Sequence, residues 1–164
     1  MLFHKICIVG AFGVGKTSLV RRYVSSIYDD RYLTTVGVRI DKKELQVDGK
    51  DLTLVIWDIA GEDKITRLSL QHLRGMSGYF LIVDGCRRDT LETAERLRSE
   101  IDAAYPNVPC LLLLNKSDIR PQWEISDAAL APFVVAQAQI LETSAKTGEH
   151  VELAFHRLAV RLLA

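Results

Sequence analysis

Short apolar runs alternate with amphipathic stretches along almost the whole chain, and most of the runs are apolar at consecutive rather than alternate positions. That pattern belongs to strands covered on both faces, as in βα units built around a mostly parallel sheet. The runs at 4–10 (HKICIVG), 52–58 (LTLVIWD), 79–84 (YFLIVD), 109–115 (PCLLLLN) and 140–144 (ILETS) predict such strands. The run at 36–47 (VGVRIDKKELQV) alternates instead, and Asp48-Gly49 separates it from the next with no helical stretch between. This is a hairpin signal and predicts one antiparallel edge strand. Helical patterns predict helices at 15–25, 63–73, 90–104, 127–138 and from 151 to the end. In the third, Leu91, Ala94, Leu97, Ile101 and Ala104 recur at helical spacing and read as a core stripe. Pro132 must start, kink or end the fourth.

Composition narrows this α/β reading to a single domain over 1–164, long enough to bury roughly two-thirds of its unfolded surface. The 21 basic and 21 acidic residues cancel, so no overall field favours nucleic acid or an anionic membrane. Any affinity for phosphate has to be local. Cys7, Cys86 and Cys110 stand apart in or beside apolar runs, without ligand spacing, and read as buried reduced thiols. No run is long enough to span a membrane and the N-terminus carries no leader pattern, so a cytoplasmic protein is expected.

Candidate chemistry begins where the first strand meets the first helix. Gly10-Ala11-Phe12-Gly13-Val14-Gly15-Lys16-Thr17 satisfies GxxxxGK[ST] in the strand-to-helix setting that the motif requires. Backbone N–H groups and the helix N-terminus would surround a β-phosphate, Lys16 would neutralise the β- and γ-phosphates, and the Thr17 hydroxyl suits Mg²⁺. A Gly-rich turn that merely lets strand and helix pack closely is the bland alternative. Asp58 closes an apolar strand, where a carboxylate holds Mg²⁺ through water; alone, such an Asp is often only a turn former. Gly61 just beyond permits close backbone approach, so its N–H is a candidate γ-phosphate sensor. Asn115, Lys116 and Asp118 end another strand, where an acidic side chain can accept two N–H bonds from the edge of guanine; adenine lacks those donors. In "TSAK" at 143–146, the Ala145 N–H is placed to meet guanine O6.

With "GAFGVGKT", Thr35 within "YLTTVGV", "WDIAG", "NKSD" and "TSAK" in order, the chain resembles a Ras-superfamily small GTPase of the Rab branch over essentially its whole length. The resemblance implies a six-stranded sheet of order 2-3-1-4-5-6 with five helices. It implies a switch that binds GTP and GDP with Mg²⁺ and hydrolyses GTP. Carried onto matching residues, it assigns nucleotide contacts to Gly13, Val14, Gly15, Lys16, Thr17, Ser18, Tyr28, Thr35, Gly61, Asn115, Lys116, Asp118, Ser144, Ala145 and Lys146. Thr17, Thr35 and Asp58 become the metal residues, and Glu62, Lys16, Thr35 and Gly61 the catalytic set. Switch regions at 29–38 and 61–75 would be read by effectors, an exchange factor and a GTPase-activating protein, on a monomer that binds no nucleic acid.

Three features depart from the family pattern. Glu62 stands where the family has the Gln that orients water, with Asp63 where Glu is usual. A carboxylate accepts from water but loses the donor, so either repulsion slows hydrolysis or Glu62 preserves it as a general base. Phe12 either projects toward the γ-phosphate, where an arginine finger needs room, or packs on the second switch. The last helix runs to Ala164 without a prenylatable cysteine, so no membrane anchor is expected in this chain. A GTP-binding scaffold with impaired hydrolysis is therefore the alternative function. An ATP-using kinase or ATPase fits less well, given Asn115, Lys116 and Asp118.

Overall fold

The computed structural model describes residues 2–24, 37–61 and 68–164. A six-stranded sheet of order β2-β3-β1-β4-β5-β6 forms its centre, from β1 (Leu2–Gly10), β2 (Val38–Val47), β3 (Lys50–Ile59), β4 (Gly78–Asp84), β5 (Cys110–Asn115) and β6 (Gln139–Thr143). Only the edge pair β2 and β3 is antiparallel. Asp48 and Gly49, with φ of 50° and 77°, make the turn between Val47 and Lys50. Positive φ at both central positions matches the twist of a tight hairpin, and this is why Asp-Gly stands there.

Alternation along each strand sends side chains to two separate apolar layers. Ile6, Ile8, Phe80, Ile82, Leu111 and Leu113 face α1 (Lys16–Val24) and α4 (Val151–Leu163), meeting Leu19, Tyr23, Phe155 and Leu158. Cys7, Val9, Leu81, Val83, Leu112 and Leu114 face the other way, against Leu91, Ala94, Leu97 and Ile101 of α2 (Arg88–Ala104). Two covered faces explain why these strands carry no polar alternation. Within the first layer, Phe155 stacks on Tyr23 at 3.8 Å and meets Phe80 edge-on at 4.8 Å.

Several elements differ from the sequence pattern. Ala104 is exposed at the end of α2, although Ile101 one turn earlier is still buried against the sheet. The stretch expected as a helix at 127–138 is a 3₁₀ turn, Asp127–Leu130, followed by a short α3 (Ala131–Val135) with Pro132 in its first turn, where a missing N–H costs nothing. Of the helix expected at 63–73, residues 63–67 lie outside those described, 68–69 are not helical and Leu70–Leu73 is a 3₁₀ turn. Three free thiols are present, with Cys7 and Cys110 buried and Cys86 partly exposed. Burial pushes both buried thiols up to about 12. Among the described residues no helix is long and apolar enough to cross a membrane.

Phe155→Ala removes the ring that joins α4 to both α1 and the sheet, and should cost about 3–5 kcal/mol of unfolding free energy, read from denaturant unfolding. Ala104→Ser, on the exposed end of α2, should stay within about 0.5 kcal/mol of the parent.

Candidate functional site

The C-terminal ends of β1, β3, β5 and β6 meet along one rim of the sheet, and the sequence motifs lie on the loops that leave them. Between β1 and α1, Gly13 and Gly15 take φ of 77° and 100°, which side chains disfavour. At Gly15 space is the second constraint: a Cβ would overlap the Asn115 amide nitrogen. The loop borders a cleft of about 650 Å³, lined among others by Phe12, Lys16, Thr17, Asp58 and Gly61. Lys16 opens α1 only 6% exposed and donates to the Ala11 carbonyl at 2.9 Å. Burial disfavours its charged form and lowers it to about 8, against the pull of Asp58.

Asp58, near the end of β3, is buried and accepts a hydrogen bond from the Thr17 hydroxyl at 2.6 Å. Burial raises its pKa above the ordinary carboxylate value, with Thr17, Lys16 and Arg39 opposing. A buried carboxylate beside a hydroxyl is a hard-oxygen pair facing a cleft, and its donor chemistry fits Mg²⁺. Gly61 comes so close to the phosphate loop that a Cβ would lie 2.6 Å from the Phe12 Cα and 2.7 Å from the Lys16 Nζ. The Phe12 ring itself is 66% exposed.

At the other end of the rim, Asn115 donates to the Val14 carbonyl at 2.9 Å and accepts from the Ala145 N–H and the Thr143 hydroxyl at 3.3 Å each. Its carboxamide joins the phosphate loop to the "TSAK" loop. The Asp118 carboxylate is exposed and takes one bond, from Ser144 at 2.8 Å. Lys116 pairs with Asp84 at 2.7 Å. Val14 is buried behind the loop, whereas Thr17, Ser18 and Lys146 are exposed around the site. Tyr28, Thr35 and Glu62 lie outside the described residues, as do 29–36 and 62–67 of the two switch spans.

The sequence model of the Ras family matches residues 5–164. A curated relative, the Ras-related protein Rab-1D of Dictyostelium discoideum, is 33% identical over 159 residues, covering 96% of this chain and 78% of that protein. The chain belongs to the Ras family. It is a Rab-like small GTPase, and proteins of this family bind guanine nucleotide and, typically, Mg²⁺.

This Ras-family chain also organises its site with side chains that the motifs do not contain. Asp84 closes β4 with its carboxylate on the Lys116 ammonium and on the Cys86 N–H at 2.9 Å. Arg87 donates to the Phe12 carbonyl at 3.0 Å and braces the phosphate loop from the side. Arg39 is buried on β2, in register with Asp58, and lines the same cleft. Of these, Asp84 had a readable signal, since it ends an apolar strand just as Asp58 does.

The depressed Lys16 value fixes the sign of a proton linkage. Phosphate beside the ammonium favours its charged form and raises it again, so GDP binding at about pH 8.5 should take up a proton that the unliganded protein lacks. Calorimetry in buffers of different ionisation enthalpy should record that uptake, and it should shrink by about pH 7, where Lys16 is already mostly charged.

Proposed function

We propose that this small GTPase is a guanine-nucleotide switch that hydrolyses GTP to GDP and phosphate, with its base, phosphate and metal contacts on the rim described above. The observation that carries the reading is the convergence of three features from separate parts of the chain: the loop after β1 with Thr17, the end of β3 and the loop after β5. The phosphate loop, the Thr17–Asp58 pair at 2.6 Å and the exposed Asp118 carboxylate all open on that rim. Mg²⁺, when bound through Thr17, Thr35 and Asp58, would supply charge neutralisation for the phosphates. Lys16 would neutralise the β- and γ-phosphates, and the Gly61 N–H would bond the γ-phosphate, its backbone already against the loop. Asp118 would accept from the guanine edge with Lys116 along the base and ribose, and the Ala145 N–H would reach O6. Tyr28 would stand against the guanine. Effectors, an exchange factor and a GTPase-activating protein would read 29–38 and 61–75 on a cytoplasmic monomer that reaches membranes only through a partner or a tail.

Glu62 favours a second reading, a GTP-bound scaffold with slow turnover. The carboxylate cannot donate to the transition-state oxygens and adds negative charge beside them. Single-turnover phosphate release from bound GTP separates the two readings. Under slow turnover, Glu62→Gln should accelerate release by about 10²-fold, the order of one transition-state donor. A fast parent that Glu62→Gln leaves unchanged would remove the scaffold's support.

Base selection has its own test. Asp118→Asn should weaken guanine binding by roughly 10- to 100-fold, the worth of hydrogen bonds to a charged acceptor. Displacement of bound GTP by ATP at comparable concentration would overturn the guanine assignment.

A further inference from the structure

The loop from Asn115 to Asp118 is held from behind by an aromatic side chain that the guanine reading does not use. Lys116 takes a left-handed φ of 75°, a conformation that non-glycine residues keep only where the surroundings impose it. Its carbonyl accepts a hydrogen bond from the Trp123 indole Nε1–H at 2.9 Å. The indole lies on Gly85, where a Cβ would overlap the ring, so the absence of a side chain at 85 makes the seat for the tryptophan.

Backbone bonds close this arrangement on both sides. The Glu124 N–H donates to the Gly85 carbonyl at 3.0 Å, and the Gly85 N–H donates to the Asn115 carbonyl at 3.1 Å. Over the indole, the Arg120 guanidinium sits 5.1 Å from the ring centroid and pairs with Glu142 of β6 at 2.8 Å. The strap therefore ties β6, the loop after β4 and the end of β5 to one carbonyl.

We propose that Trp123, seated on Gly85, is a positioning residue that fixes the left-handed turn at Lys116 and so sets how long and how selectively the guanine base is held. This inference rests on the reading of Lys116 and Asp118 as base contacts. The Lys116 carbonyl belongs to the peptide that leads into Ser117, one residue before Asp118. Rotation of that peptide swings the Asp118 carboxylate, and hydrogen bonds weaken steeply with angle. Ser144 holds one Asp118 oxygen at 2.8 Å; the direction of the other depends on the turn.

Release of a fluorescent GDP analogue from the full chain, in excess Mg²⁺ and chased with unlabelled GDP, tests the strap. Trp123→Phe keeps a ring on Gly85 and removes one of the two donors to the Lys116 carbonyl, the Ile119 N–H at 3.1 Å remaining; release should quicken by roughly three- to tenfold, the order of one hydrogen bond lost. Its preference for GDP over IDP, whose base lacks the exocyclic amine, should narrow by roughly threefold or more as the Asp118 geometry loosens. Gly85→Ala, which displaces the indole, should act in the same direction. A merely structural tryptophan would lower the unfolding midpoint and leave the GDP to IDP ratio alone. Independently of how any variant folds, the Trp123 indole N–H of the ¹⁵N-labelled parent should exchange with solvent more slowly with GDP bound than with IDP bound. An unchanged ratio in Trp123→Phe, or equal exchange with the two nucleotides, overturns the positioning role and leaves guanine binding standing. A parent that holds GDP no more tightly than ADP overturns the base-recognition reading and the strap with it.

Discussion

One buried carboxamide joins the two halves of the nucleotide rim. Asn115 is 2% exposed, donates to the phosphate loop at Val14 and accepts from Ala145 and Thr143. Each of those groups left unpaired would cost about 1–3 kcal/mol, so the three bonds hold the loops in one register. Gly15 has to be glycine partly because the Asn115 amide occupies the place of its Cβ. The spacing between the loop after β1 and the loop after β6 is thereby built into the apolar sheet, through the end of β5.

Electrostatics at the same rim run against the protein alone. Lys16 is buried with one carbonyl acceptor, and Asp58 is buried with one hydroxyl donor. Burial moves both toward their neutral forms, Lys16 downward to about 8 and Asp58 upward. Neither charge is fully compensated by its neighbours. A polyphosphate beside Lys16 and a hard cation beside Asp58 would each favour the charged form, and ligand binding would then add to folding stability by mass action. The carboxamide holds the loops in place, and burial sets the charges beside them.

Those features that depend on period or on a contiguous motif were legible in the sequence. Two-faced burial shows as apolar runs, the hairpin as Asp48-Gly49, and the phosphate loop as its glycines and Lys16. The strand order agrees with the family resemblance. What could not be read is contact between distant loops. Asp84 meets Lys116 across 32 positions, Arg87 meets Phe12 across 75, and Trp123 fills the space above Gly85. A helical period places Ala104 on the apolar face of α2 but does not say that burial stops with Ile101, one turn before the helix ends. Pro132 was readable as a boundary, yet the split into a 3₁₀ turn and a short helix depends on the turn before it, where the Ser126 hydroxyl caps the Ala129 N–H at 3.4 Å.

The unusual phenylalanine of the phosphate loop shows how side-chain change and loop geometry separate. Arg87 holds the Phe12 carbonyl, and Gly61 presses on the Phe12 backbone so closely that only hydrogen fits between them. The ring, 66% exposed, takes no part in either contact. Position 12 therefore accepts a bulky side chain because its backbone is fixed by others, while positions 15 and 61 do not. The same asymmetry bears on turnover. The lysine proposed to meet phosphate is buried and set by packing, whereas the departures from the family pattern at 12 and 62 are changes of side chain. The side chain at position 12 can therefore change while the packed backbone beneath it is kept.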